Sequence, residues 1–339
     1  MSSSGDVLDG LVADFLAQVG TIDVDPRVAH TLIVESLGLL ADEPASLDLK
    51  IATAALAEMR DAFAMFQPYR ERRKVTIFGS ARARPEEPVY EQTRHMAASL
   101  ARRGWMVVTG AGPGLMQAGM EGAGRDMSIG VSIRLPFETS ANPVIAGDPK
   151  YVSMKYFFTR KLMLIKESAA FVCLPGGFGT LDETFELLTL TQTGKGQPVP
   201  IVFLDPPGDR YWEAVDDFVR EQLVPRSLVG ADDADLYLVT DSCETAATEI
   251  ERFYSNFDSL RFVGERLIIR VHRFPSQAEL EILNNEFSDL VRSGTIERTE
   301  PMRVEIRDND RLELSRLVLD FDPRRAALLR RFIDRLNDF

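Results

Sequence analysis

Two periodicities alternate along this chain. From residue 5 to 66 apolar side chains recur every three or four positions, in VLDGLVADFLAQV, PRVAHTLIVESLGLLADE and SLDLKIATAALAEMRDAFAMF. That spacing predicts amphipathic helices. Asp25-Pro26 is a helix start, an acceptor side chain followed by a residue suited to the first turn. From Lys74 the pattern changes to short β-rich apolar runs, each followed by a glycine turn and a helical stretch. KVTIFGS, WMVVTGAGPG, SIGVSIRLP, AFVCLP and VPIVFLD read as strands. YEQTRHMAASLARRG, LMQAGMEGAGRDM, KYFFTRKLMLIKESA, TLDETFELLTLTQ and YWEAVDDFVREQL read as helices between and after them. Five such alternations predict a Rossmann-like α/β fold, a doubly wound parallel sheet. Beyond about Ser259 a smaller α+β pattern follows: strands at RLIIRVH, TIERTEP and RLVLDF, a helix over SQAELEILNNEFSDLVRSG, and a basic amphipathic helix, PRRAALLRRFIDRLNDF. That last helix suits a solvated face or a partner surface. The expected organisation is a helical extension (1–70), a Rossmann-like α/β domain (71–258) and a small α+β domain (259–339).

Composition narrows the function classes. The chain has 339 residues, 45% of them hydrophobic and 27% charged, as in an ordinary globular protein. Its formal net charge of −13 gives no general basic footprint for nucleic acid. The N-terminal segment is strongly acidic and suits a packing appendage, a lid or a dimerisation element. Two cysteines, Cys173 and Cys243, form no disulfide framework, and His30, His95 and His272 have no ligand spacing, so no metal site is expected. With no long apolar run and no leader-like N-terminus, the expected location is cytoplasmic, away from membranes.

Ligands of doubly wound sheets bind beyond the carboxyl ends of the strands. The Gly79-Ser80 turn and both glycine clusters fall there. In the first cluster Gly110, Gly112 and Gly114 run G-x-G-x-G, and Leu115 stands where a dinucleotide fingerprint needs its last glycine. No acid closes the next strand, so hydride-transfer chemistry is disfavoured. The Walker pattern is absent as well. The second cluster, LPGGFGTLDETFELL, sets Gly176, Gly177, Gly179 and Thr180 before a helical run carrying Asp182 and Glu183. Glycines let backbone approach a ligand, and helix-start N–H groups favour an anion. Thr180 suits a cap or a phosphate contact. The two acids are expected in the first turn, where helix-dipole compensation accounts for Asp182. Leu181, Phe185 and Leu188 form the expected core face. In the preceding helix Phe158, Leu162 and Ile165 form an apolar stripe with Arg160 and Lys161 beside it.

These residues carry a resemblance. PGGFGTLDE is similar to the P-G-G-x-G-T-x-x-E signature of the Lonely Guy (LOG) family, long labelled "lysine decarboxylase". TRK at 159–161, FGSARARP, GAGPGLM and LTLTQTGK resemble other stretches of that family over roughly Lys74 to Leu223. The resemblance implies a cofactor-independent phosphoribohydrolase that converts a nucleoside 5′-monophosphate to free base and ribose 5-phosphate. It implies catalytic roles for Arg160 and Glu183. Phosphate or substrate contacts would come from Gly79, Ser80, Arg82, Gly112, Gly114, Lys161, Gly176, Gly177, Gly179 and Thr180. It also implies a homodimer or larger homo-oligomer. The alternative is a non-catalytic carrier of a nucleotide or a molybdenum-cofactor-type phosphate.

Overall fold

The computed structural model describes residues 25–135 and 141–339, together with Gly10, Val12, Asp14 and Phe15. The first expected helix, VLDGLVADFLAQV, lies outside the described residues apart from those four, and so does the end of SIGVSIRLP at Pro136. The chain divides into two compact units, Met1–Asp61 and Ala62–Phe339. In the first, a helix runs over Pro26–Ala41. The Asp25 carboxylate accepts from the Arg27 N–H at 2.9 Å, the cap that the Asp-Pro pair predicts. A second helix begins at Ser46 and continues to Phe66.

The second unit is built on a seven-stranded sheet, Rossmann-like as expected. Its strands are β1 (Lys74–Phe78), β2 (Met106–Thr109), β3 (Ser128–Ile133), β4 (Tyr151–Met154), β5 (Ala170–Cys173), β6 (Ile201–Leu204) and β7 (Leu238–Thr240). The order is β4-β3-β2-β1-β5-β6-β7 and all pairs are parallel. Every residue of β1, β2, β5 and β6 is buried, which is why these segments read as predominantly apolar runs. Two strands escape the hydrophobic pattern. β4 and β7 are short, lie at the two sheet edges and are mostly half-buried, so YVSM and LVT carry little strand signal. The order reverses between β1 and β5. Chain leaving β1 turns one way and chain leaving β5 the other, opening a crevice above their carboxyl ends.

A second sheet, antiparallel, has the order β10-β11-β9-β8. It comprises β8 (Phe257–Val263), β9 (Arg266–Val271), β10 (Val291–Thr299) and β11 (Ser315–Phe321). β8 is a further strand missing from the sequence pattern. The helix expected across SQAELEILNNEFSDLVRSG stops at Glu286, and β10 begins at Val291. Asn284 enforces that stop. Its side-chain amide donates to the Leu280 and Ile296 carbonyls, and its oxygen accepts from the Ile296 N–H, folding the strand back onto the helix. One apolar core, from Val75 and Val107 to Leu317 and Phe332, runs through both sheets.

The basic C-terminal helix, Ala326–Asn337, corrects its expectation. Its arginines are internal ties. Arg330 is buried, pairs with Glu249 and with Asp334, and lies over the Phe253 ring. Arg331 reaches Asp232 at 3.4 Å and Arg335 reaches Glu286 at 3.0 Å. Arg330 turns inward to meet Glu249, while Arg331 and Arg335 pair with acids at the surface.

Candidate active site

A cavity of about 880 Å³ occupies the crevice between β1 and β5. Three loops meet there because a parallel sheet delivers every carboxyl end to one side. The loop after β1 brings Gly79, Ser80 and Arg82, the loop after β2 brings Gly110 and Gly112, and the loop after β5 brings Gly176 to Thr180. The β1 loop is pinned from both neighbours. The Ser80 N–H donates to the Pro175 carbonyl, and the Ser80 carbonyl accepts from the Leu115 N–H. Gly114 makes that contact possible. It sits at φ +66°, and a Cβ there would lie 2.4 Å from the Ser80 carbonyl oxygen.

Arg160 and Glu183 meet in the cavity. Arg160 comes from the helix Phe157–Lys166, Glu183 from the helix Phe178–Gln192, and the guanidinium donates to the carboxylate at 2.6 Å. Both side chains are at most a tenth exposed. The Arg160 Nε also donates to the Val131 carbonyl of β3, 3.1 Å away. Gly110 makes room for the pair, since a Cβ at that position would stand 2.2 Å from the guanidinium. Burial pushes the Glu183 carboxyl above the ordinary carboxylate range, while the Coulombic attraction and hydrogen bond of Arg160 pull it back.

The helix after the PGG loop begins at Phe178, with Gly177 as its cap, earlier than the sequence pattern suggests. Three expectations change as a result. Asp182 and Glu183 stand in the second turn, so Asp182 is not a dipole residue of the first turn; it pairs instead with Lys161 at 3.2 Å. Thr180 lies inside the helix and is not its cap. The buried face is Thr180, Glu183, Thr184, Leu187 and Thr191, while Phe185 faces outward and Leu181 and Leu188 are only half-buried. The helix of Arg160 is inverted in the same way. Thr159, Arg160, Met163 and Leu164 are buried, and Phe158 and Leu162 of the apolar stripe are exposed.

Two candidate residues stand apart from the cavity lining. Lys161 is held by Asp182 and by Glu186, the latter at 2.6 Å. Gly114 spaces the loops behind the lining. Other lining residues carry no motif. The Ser132 and Tyr151 hydroxyls share a hydrogen bond of 2.8 Å, and Arg134 donates to the Ser153 carbonyl. Tyr211 donates to the Gly176 carbonyl at 2.8 Å and so anchors the PGG loop. The only sequence signal for Tyr211 is its place just past the carboxyl end of a strand.

The arrangement presents free helix-start N–H groups at the loop after β5 and a charged pair one helical turn further in. Such a site can hold an anion at one end and stabilise developing positive charge at the other. Gly110→Ala is expected to push the guanidinium off Glu183. It should lower unfolding stability by about 1–3 kcal/mol, the usual cost of overpacking, measured by denaturant titration. Stability unchanged from the parent would show that the pair does not need this space.

Residues 114–250 match the family model described as "Possible lysine decarboxylase". The rice (Oryza sativa subsp. japonica) cytokinin riboside 5′-monophosphate phosphoribohydrolase LOG is 31% identical over 160 residues, 45% of this chain and 64% of that protein. The Mycobacterium tuberculosis cytokinin riboside 5′-monophosphate phosphoribohydrolase is 31% identical over 126 residues, 35% of this chain and 63% of that protein. The chain thus spans just under two thirds of the length of these two relatives. The molybdenum cofactor carrier protein of Chlamydomonas reinhardtii aligns in structure over 54% of this chain and 98% of its own, at 19% identity and a TM-score of 0.36. The resemblance read from the PGG loop therefore holds: the α/β part of this chain is similar in sequence to the LOG family.

Proposed function

We propose that this protein hydrolyses the N-glycosidic bond of a nucleoside 5′-monophosphate, releasing free base and ribose 5-phosphate. The observation that carries the proposal is the buried Arg160–Glu183 pair, set one helical turn beyond an anion-ready glycine loop. From Gly179 to Glu183 the helix rises about 6 Å, roughly the span between a 5′-phosphate and the anomeric carbon. Phosphate at the N–H groups of Gly177 and Gly179, near Ser80 and Thr180, would bring the ribose to Glu183.

Breaking the C1′–N bond builds positive charge on the ribose ring. The Glu183 carboxylate stabilises that charge or takes a proton from the attacking water. The Arg160 guanidinium offers N–H donors and no acceptor, so it is not a base here. Its part is to orient the carboxylate and lower the cost of holding it ionised in a dry site. Lys161, tied to Asp182 and Glu186, supports the two helices from outside. Relatives named as phosphoribohydrolases support the same chemistry, and among the described residues no helix is long and apolar enough to cross a membrane.

A homo-oligomer is part of the proposal. Phe157, Phe158 and Leu162 on one helix and Phe178 and Phe185 on its neighbour form an exposed apolar surface, with Phe178 93% exposed. Such a surface suits association with a second copy.

Incubation with a panel of nucleoside monophosphates should release free base, resolved by chromatography. Glu183→Gln should reduce the rate by about 10²–10⁴-fold, the usual scale for loss of an acid–base group. Tight binding with no release from any member would establish a carrier instead. The ionised carboxylate is the working form, so kcat/KM should rise with pH through a midpoint above the ordinary glutamate range. Arg160→Gln removes the cation that favours ionisation, so the residual activity should show that midpoint moved to higher pH; a downward move contradicts the role given to Arg160. Phe178→Asp should lower the mass measured by sedimentation to that of one chain, and an unaltered mass excludes this face as the contact.

A further inference from the structure

A second cavity, of about 720 Å³, opens on the far side of the β1 loop. It shares Ser80, Arg82 and Gly176 with the first. These residues stand at the phosphate end of the site as proposed above. The second cavity therefore adjoins the phosphate end of a bound nucleotide.

The walls of that space have a chemistry of their own. Pro88, Val89, Pro206 and Pro207 give it apolar surface, and Glu87 and Asp209 give it carboxylates. Asp209 uses one oxygen on the Arg210 N–H, and the Glu87 carboxylate has no partner among the described residues. Arg82, which lines both cavities, has no acidic partner among the described residues either. A chain of further phosphates would be repelled by the two carboxylates. A neutral, hydroxyl-bearing ring suits them, because carboxylates accept strongly from hydroxyls and proline rings pack against C–H faces.

We propose that the site also takes nucleoside diphosphate sugars. The nucleoside and its α-phosphate occupy the first cavity, the β-phosphate meets Arg82 where the two cavities adjoin, and the sugar lies between the prolines and Glu87. This rests on the nucleotide assignment above. The bond broken is the same. Water adds to C1′ of the nucleoside ribose, the C1′–N electron pair leaves with the base, and the base receives the proton that water gives up. The products are free base and a ribose 5-diphosphate sugar.

The experiment pairs AMP, GMP and UMP with ADP-glucose, GDP-mannose and UDP-glucose, in the parent protein and in Pro207→Trp. Pro207 is exposed and lines the second cavity alone. Base should be released from at least one diphosphate sugar with kcat/KM within tenfold of its monophosphate. Pro207→Trp should lower that value more than tenfold and leave the monophosphate untouched. Cleavage of a monophosphate, with no diphosphate sugar either cleaved or competing, overturns the proposal and leaves the nucleosidase assignment standing. So does an equal loss for both substrate classes in the variant. Should no monophosphate be cleaved, the nucleosidase assignment fails, and calorimetry of the diphosphate sugars decides the second cavity. Binding to the parent that Pro207→Trp abolishes supports it, and no binding to the parent refutes it.

Discussion

The arrangement of the site follows from one ion pair held out of water. Removing a guanidinium and a carboxylate from solvent costs several kcal/mol for each ion, and only close geometry with further hydrogen bonds offsets it. Arg160 and Glu183 meet that condition at 2.6 Å, with a second guanidinium nitrogen on the Val131 carbonyl. The condition propagates. The pair needs two helices side by side, a strand carbonyl within reach and a glycine at 110 where any side chain would collide. A doubly wound sheet supplies all of these at its switch point, since β1 and β5 are neighbours and send their following chain in opposite directions.

Turning two charged residues inward also sets what the helices show outside. The inner face of Phe178–Gln192 is made of threonines, one leucine and Glu183. The inner face of Phe157–Lys166 includes Thr159 and Arg160. The phenylalanines are left on the outside. A helix pair of this kind is apolar on the face that would normally meet water, and a lysine with two acidic partners, Lys161 with Asp182 and Glu186, bridges the seam between the helices. One sequence pattern thus sets both faces: the residues that make the cavity polar inside leave an apolar surface outside.

This inversion explains where sequence reasoning succeeded and where it failed. Buried parallel strands are rich in apolar and β-branched residues, so β1, β2, β3, β5 and β6 were legible, as were the glycine loops beyond them. The edge strands β4 and β7 were not, because short half-buried segments carry neither a run nor an alternation. Arg160 and Glu183 were legible only through the family motif. Read by amphipathicity alone, Leu181, Phe185 and Leu188 mark the core face, and the structure buries the other one. The usual assumption that apolar residues face inward fails where a buried ion pair claims the interior. Ser132, Tyr151 and Tyr211 were illegible for a further reason: their positions depend on which strand ends become neighbours, a long-range fact with no local signature.

Tyr211 also shows how the anion loop is kept ready. Asp205, buried at the end of β6, accepts from the N–H groups of Trp212 and Glu213 and so fixes the start of the helix Tyr211–Phe218. Tyr211, first in that helix, donates to the Gly176 carbonyl. With that carbonyl held, the peptide planes that follow have less freedom, and the N–H groups of Gly177 and Gly179 keep their aim without a ligand. A loop with three glycines would otherwise lose much entropy on ordering around any ligand. Preorganised donors avoid that cost at the moment of binding. The glycines are needed for close approach, and the tyrosine supplies the rigidity they lack, which is why one loop can be both open to a ligand and fixed in place.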